Sequence, residues 1–149
     1  MLVRRLILEE MLQVARIHRQ SFDDRLPWLA GLHTPQEDVA YFRNQVFAEC
    51  EVHGAEEAGR LIGFIAFAKD WIHQLYVLPQ AQGKGAGSRL LAVAQAGANH
   101  LQLWTFEKNT GARAFYEARG FHAVRVTDGT DNEEKEPDVL YEWFRKPIP

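Results

Sequence analysis

A chain of 149 residues, 46% hydrophobic and 25% charged, has the size and composition of one globular domain with a real core, so residues 1–149 are read as a single domain. A formal net charge of -3 with scattered basic residues argues against a nucleic-acid partner. The lone Cys50 rules out an internal disulfide and reads as a small buried hydrophobe, no Cys/His cluster has metal-ligand spacing, and the longest apolar run, residues 61–68, is far short of the roughly 20 residues that span a bilayer.

At the N-terminus, "MLVRRLILEEM" sets two arginines before apolar residues, but Glu9 and Glu10 interrupt it before a signal-peptide core forms, so no export and a cytoplasmic location are expected. "VRRLILEE" reads as a short strand. In the stretch after it, Met11, Ala15, Ile17 or His18 and Phe22 recur at helical spacing. Residues 23–33, with Pro27, Trp28 and Gly31, read as an irregular connection carrying aromatic side chains. Thr34, Pro35 and Glu37 supply an N-cap, a first-turn proline and a capping-box acid, and open a second helix through Val39, Phe42, Val46 and Phe47. Turn signals at 56–59 and 69–70 then divide residues 50–79 into three strands of an antiparallel meander.

Beyond a glycine-dense turn, "SRLLAVAQAGA" is helix-like, "LQLWTF" strand-like, and "TGARAFYEARGF" a helix closed by Gly120, with Phe121 packing back on its last turn. "FHAVRV" and "VLYEWF" are two strands joined by the acidic loop "TDGTDNEEKEPD". The order β-α-α-β-β-β-α-β-α-β-β combines a meander with two strand-helix-strand crossovers, an α/β (α+β) fold with a mixed sheet covered by helices.

The turn "LYVLPQAQGKGAGSRLL" carries the chemistry. Gly83, Gly85 and Gly87 remove Cβ atoms at alternate positions, so a ligand can approach N-H groups that point outward. The turn runs straight into a helix, whose N-terminal dipole favours phosphate oxygens, and Lys84, with Arg89, adds positive charge. A P-loop would need Ser or Thr where Gly85 stands, and a dinucleotide fingerprint a third glycine where Ser88 stands; neither motif fits. A bare strand-to-helix turn without a ligand is the plain alternative.

The stretch resembles motif A of the Gcn5-related N-acetyltransferase (GNAT) superfamily, a strand ending in valine followed by Q/R-x-x-G-x-G/A, here Gln82, Gly85 and Gly87. "LWTFEKNTGARAFYEARGF" resembles motif B of the same family, with Asn109 before its helix, Tyr116 within it and Gly120-Phe121 after it. The resemblance implies a mainly antiparallel mixed sheet flanked by about four helices. Its two central parallel strands, Ile72 to Val77 and Leu101 to Phe106, would splay apart around the pantetheine of acetyl-coenzyme A. Residues Gln82, Gly83, Lys84, Gly85, Ala86, Gly87 and Ser88 would hold the pyrophosphate. The main chain of Leu75, Tyr76 and Val77 would bind the pantetheine, with the Val77 N-H on the acetyl carbonyl. Asn109 would bond the cosubstrate, and it equally suits a helix N-cap.

In that family the tyrosine at Tyr116 serves the departing thiolate. A phenol of pKa about 10 facing a thiol of about 8.5 is expected mainly to donate a hydrogen bond, unless the site lowers its pKa. His73 is the candidate base for the attacking amine: "WIHQLYV" resembles "HIHALAV" of arylalkylamine N-acetyltransferases, whose strand histidines relay protons, with Trp71 in place of the first histidine. A water chain is the alternative. Trp28, His33, Tyr41 and Trp71 are candidates to line the acceptor pocket. Asp128, Asp131, Glu133, Glu134, Glu136 and Asp138 could draw a cation to it, although a solvated hairpin loop explains them more cheaply.

The expectation is an N-acetyltransferase acting on a primary amine, a small molecule favoured, by direct attack in a ternary complex, since Cys50 lies far from both motifs. A catalytically silent acyl-coenzyme-A sensor of the same fold is the alternative, against which the tyrosine at the sulfur speaks. Neither nucleic acid nor a membrane is expected as partner, and a homodimer is left open.

Overall fold

In the computed structural model, which describes residues 1–146, the elements follow in the expected order: β1 (Leu2–Arg5), α1 (Met11–Arg25), α2 (Pro35–Tyr41), α3 (Phe47–Glu49), β2 (Glu51–Glu57), β3 (Arg60–Ala68), β4 (Trp71–Val77), α4 (Ala86–Ala96), β5 (His100–Phe106), α5 (Thr110–Glu117), β6 (His122–Val126) and β7 (Asp138–Phe144). The last three positions of the expected 1–149 domain lie outside the described residues. A wide π-type turn, Phe42–Val46, joins α2 to α3, so the two make one helical body, one of four among the described residues.

Local chemistry accounts for the helix ends. Thr34 Oγ1 accepts from the Glu37 N-H at 3.1 Å while Glu37 Oε1 accepts from the Thr34 N-H at 2.8 Å, the reciprocal pair expected of a capping box. Gly120 adopts φ +87°, and the Phe121 N-H donates to the Tyr116 carbonyl at 3.1 Å, which ends α5 and turns Phe121 into the core. Helix α1 runs three residues past Phe22, into the stretch expected to be irregular. The reason is burial: Leu26, one turn beyond Phe22, is sealed in the core, and its N-H donates to the Phe22 carbonyl at 2.8 Å.

One seven-stranded sheet has the order β1-β2-β3-β4-β5-β7-β6. Its pairs are antiparallel except β4 with β5. Core residues lie on both faces. On one, Ile65, Leu90, Leu91, Leu101, Leu103, Phe121 and Tyr141 pack under α4 and α5; on the other, Met11, Val14, Phe42, Val46 and Phe64 pack under α1 and α2. The apolar run 61–68 is therefore the interior strand β3, covered on both sides, where alternation with polar residues has no function. An ion pair pins α2 to α1: Arg19 donates to both carboxylate oxygens of the buried Asp38, each at 2.9 Å.

The parallel pair decides where a ligand can enter. β4 and β5 meet only at Trp71 and Gln102, whose N-H donates to the Asp70 carbonyl at 2.7 Å. From there the strands diverge, while each stays paired to its outer neighbour, β4 to β3 with one slip in register and β5 to β7 without a break. The splay is real and opens toward Val77.

Candidate active site

The opening in the sheet, the glycine turn and the start of α5 enclose a cleft of about 410 Å³. Its walls include Leu75, Tyr76 and Val77 of β4, residues 81–83 and 85–88, Asn109, Ala112, Phe115, Tyr116 and Arg119, with Ser21 and Arg25 of α1 across from them. A second, smaller hollow of about 60 Å³ lies between β4 and β5 and shares Leu75, Tyr76, Asn109, Ala112 and Tyr116 with the first.

Backbone alternation orients the donors on β4. The Leu78 N-H donates to the Ile62 carbonyl at 2.8 Å, so with Gly63 opposite Val77 the main-chain groups of Tyr76 face β3, and those of Leu75 and Val77 face the gap. The Val77 carbonyl is taken by two side chains, accepting from Ser21 Oγ at 3.2 Å and Gln82 Nε2 at 3.0 Å. The outward amides of Leu75 and Val77 have no strand opposite them. Tyr76 differs from its two neighbours, because its main-chain N-H and carbonyl belong to the ladder with β3 and are not free to bind a ligand in the gap.

In the glycine turn, Gly83 and Gly85 take φ +81° and +88°, left-handed values that favour glycine, and nothing lies within 4 Å of where a Cβ would stand on either. That free space borders the first turn of α4, capped by Gly85, whose carbonyl accepts from the Arg89 N-H at 3.1 Å. Gly87 is glycine for another reason, since a Cβ there would press on the Phe115 ring at 3.1 Å. Ala86 is buried beneath the turn.

The charges of the cleft are not those expected. Lys84 turns outward, its Nζ 3.6 Å from a Glu57 oxygen, and is not among the lining residues. The charged groups that line the cleft are two arginines, and no carboxylate joins them. Arg119 stacks on Phe115, 3.8 Å above the ring centroid, and donates to Ser88 Oγ at 2.6 Å, while Arg25 donates to Gln82 Oε1 at 2.7 Å. The spacing of Phe115 and Arg119, four apart on a helix, was a readable signal; nothing near Arg25 in sequence points to Gln82. Asn109 fills both of its expected places, lining the cleft and capping α5 by accepting from the Ala112 N-H at 3.2 Å.

Tyr116 is 7% exposed, with Phe115, Phe121 and Tyr141 packed around its ring. It lines both hollows. Burial, with Tyr76 beside it, holds its phenol well above the usual tyrosine range, and burial pushes Tyr76 up to about 12. A phenol so placed keeps its proton at neutral pH. His73 lines the smaller hollow with Tyr116, though not by simple alternation: between Ile72 and Gln74 the register to β3 slips, leaving His73 as the extra residue of a bulge, exposed at the gap.

The acceptor candidates separate. Trp28, 52% exposed, donates from Nε1 to Glu136 at 2.7 Å, and His33 Nε2 lies 2.8 Å from Glu133, so the α1-α2 connection meets the acidic loop. Lys108 Nζ lies 5.3 Å from the Trp28 ring centroid and 3.3 Å from Glu136. Tyr41 packs edge-on against Phe42. Trp71 stands at the closed end of the splay, six residues or about 20 Å along β4 from Val77, and lines neither hollow. Cys50 is half-buried beside the α1-α2 core, away from the cleft, and burial raises its thiol pKa. His18 projects from the inner face of α1 with its ring edge-on to Tyr76 at 4.9 Å; its buried Nδ1 has no hydrogen-bond partner, and burial, reinforced by Arg19, lowers its pKa to about 4.

Residues 12–121 match the model of the acetyltransferase (GNAT) family. Peptidyl-lysine N-acetyltransferase YiaC of Escherichia coli is 37% identical over 70 residues, 46% of this chain and 48% of that one. The chain spans about half the length of the curated relatives it matches. Among solved structures, apo YjaB of Escherichia coli superposes with a TM-score of 0.78 at 22% identity, over 95% of this chain and 96% of that one. The PaiA N-acetyltransferase of Thermoplasma acidophilum, solved with coenzyme A, superposes with a TM-score of 0.74 at 20% identity, over 97% and 98%.

Proposed function

The chain belongs to the GNAT family of acetyltransferases, and from that premise we propose that it moves an acetyl group from acetyl-coenzyme A to a primary amine, by direct attack in a ternary complex. One observation carries the reading: a glycine turn with left-handed backbone and free space above it, the N-terminus of α4, and the Tyr116 phenol all border one cleft that opens into the gap between β4 and β5. Acetyl-coenzyme A supplies an activated acetyl thioester.

The amides of residues 82–88 and Arg119 hold the diphosphate, and Asn109 with the outward amides of Leu75 and Val77 holds the pantetheine. The Val77 N-H polarises the acetyl carbonyl, a contribution that for a preorganised donor is about 3 kcal/mol. Tyr116, kept protonated by burial, hydrogen-bonds the sulfur. His73, at the gap, accepts the proton of the amine directly or through water.

A small-molecule amine is favoured, because the Trp28-Glu136 and His33-Glu133 contacts draw the α1-α2 connection and the acidic loop together. A peptidyl lysine is the second reading, since YiaC is named for that substrate. Residues 1–149 act as one N-acetyltransferase domain in the cytoplasm; among the described residues no helix is long and apolar enough to cross a membrane. A homodimer would pair through edge strand β6, where Val124 and Val126 are exposed.

The test is to incubate the protein with acetyl-coenzyme A and a panel of small amines and lysine peptides, and to follow the freed thiol. Amine-dependent release is expected. Binding of acetyl-coenzyme A without turnover on any amine would make the chain a sensor, and absence of binding would refute the reading.

A further inference from the structure

Arg25 ends α1, far in sequence from the glycine turn, yet its guanidinium lies in the cleft. Its Nη2 donates to Gln82 Oε1 at 2.7 Å, and the guanidinium fills the space that a Cβ on Gly111, in the first turn of α5, would need. It therefore bridges the first residue of the glycine turn and the start of α5. One helical turn earlier, Ser21 donates to the Val77 carbonyl at 3.2 Å, so the two side chains place one face of α1 along the cleft.

The guanidinium differs from those that carboxylates hold in place. Arg4 is paired with Glu10 and Glu56, and Arg19 with Asp23 and Asp38. Arg25 makes no ion pair among the described residues, and its partner Gln82 is neutral. A guanidinium is built for two-point contact with a phosphate. This one stands beside the glycine turn, whose N-H groups from 83 to 88 make no backbone hydrogen bond among the described residues, it is solvent-exposed enough to swing, and the bond it would give up is a single one to a neutral amide.

Resting on the proposed acetyl-coenzyme A site, we infer that Arg25 is a diphosphate ligand contributed by α1, closing over the cosubstrate from the side opposite α4. Its hydrogen bond passes from Gln82 to a phosphate oxygen when the diphosphate arrives.

The experiment is calorimetric titration of the wild type, Arg25→Met and Arg25→Lys with coenzyme A and with its 3′-dephospho form, each across a range of salt. A hydrogen bond to a charged group contributes about 1.5–3 kcal/mol, so Arg25→Met should weaken both ligands by roughly ten- to a hundredfold. The affinity of the Met variant should fall less steeply with salt, because one charge contact is gone, and Arg25→Lys should restore part of the affinity and the salt dependence. Three results would each overturn the inference: no loss in Arg25→Met; a loss unaffected by salt and not restored by Lys, the mark of a residue that only positions Gln82; or a loss that vanishes with the 3′-dephospho form. If the wild type itself binds no coenzyme A, it is the proposed function that fails.

Discussion

His18 offers a prediction whose size follows from its surroundings. Its imidazole is packed among Phe22, Phe42 and Tyr76, with Nδ1 buried and unpartnered, and its pKa is lowered from the ordinary 6.5 to about 4, chiefly by burial. The unfolded chain thus binds a proton near pH 6.5 that the folded chain refuses until about pH 4. Above pH 6.5 the residue is neutral in both states and its contribution to stability is complete; as the pH falls through the window, unfolding takes up a proton and stability is lost. At about 1.4 kcal/mol per pH unit the loss is roughly 2 kcal/mol at about pH 5 and roughly 3 kcal/mol at about pH 4. Other groups titrate too, so the isolating comparison is with His18→Phe, which keeps an aromatic ring in the site and removes the proton site. Urea unfolding of both proteins, followed by tryptophan fluorescence between about pH 7.5 and about pH 4, gives the difference in stability at each pH. That difference should shift by roughly 3 kcal/mol in favour of the variant as the medium is acidified. A difference that stays constant with pH would show that the histidine is not held neutral by its burial.

Three further outcomes concern the cleft. Tyr116→Phe removes a hydrogen-bond donor near the expected sulfur, so kcat should fall by roughly ten- to a hundredfold with the Kd for acetyl-coenzyme A nearly unchanged; steady-state kinetics with an active amine checks it, and unaltered kcat takes Tyr116 out of the mechanism. Gly85→Ala forces a φ of +88° on a residue with a Cβ, at a cost of about 1–2 kcal/mol, so either thermal stability drops or the turn relaxes and calorimetry shows weakened cosubstrate binding; a variant unchanged in both would remove the cradle. Lys84→Ala should change the Kd less than about twofold, because its ammonium sits by Glu57 in solvent, whereas Arg119→Ala should weaken binding roughly tenfold or more. The reverse order would reinstate the lysine as the phosphate group.

Much of this protein is legible along the chain. Thr34 and Glu37 announce a helix start, Gly120 and Phe121 a helix end, and the turn signals at 56–59 and 69–70 the strand between them, because each is set by interactions within a few residues. The same holds for the glycine turn and its helix. Gly85 was readable as glycine, and so was the use of a backbone without Cβ, although Gly87 owes its identity to a ring 28 positions further on.

Where charge collects depended on the tertiary structure. Lys84 sits inside the motif and points out of the cleft, while Arg25, 57 positions before its partner Gln82, points in. Likewise, strand periodicity puts His73 in line with Leu75 and Val77, but a one-residue slip against β3 makes it a bulge. The physical reason is common to these cases: propensity, capping and hydrophobic period act over one or two turns of chain, whereas the field in a cavity and the register of a ladder are sums over groups that only packing brings together.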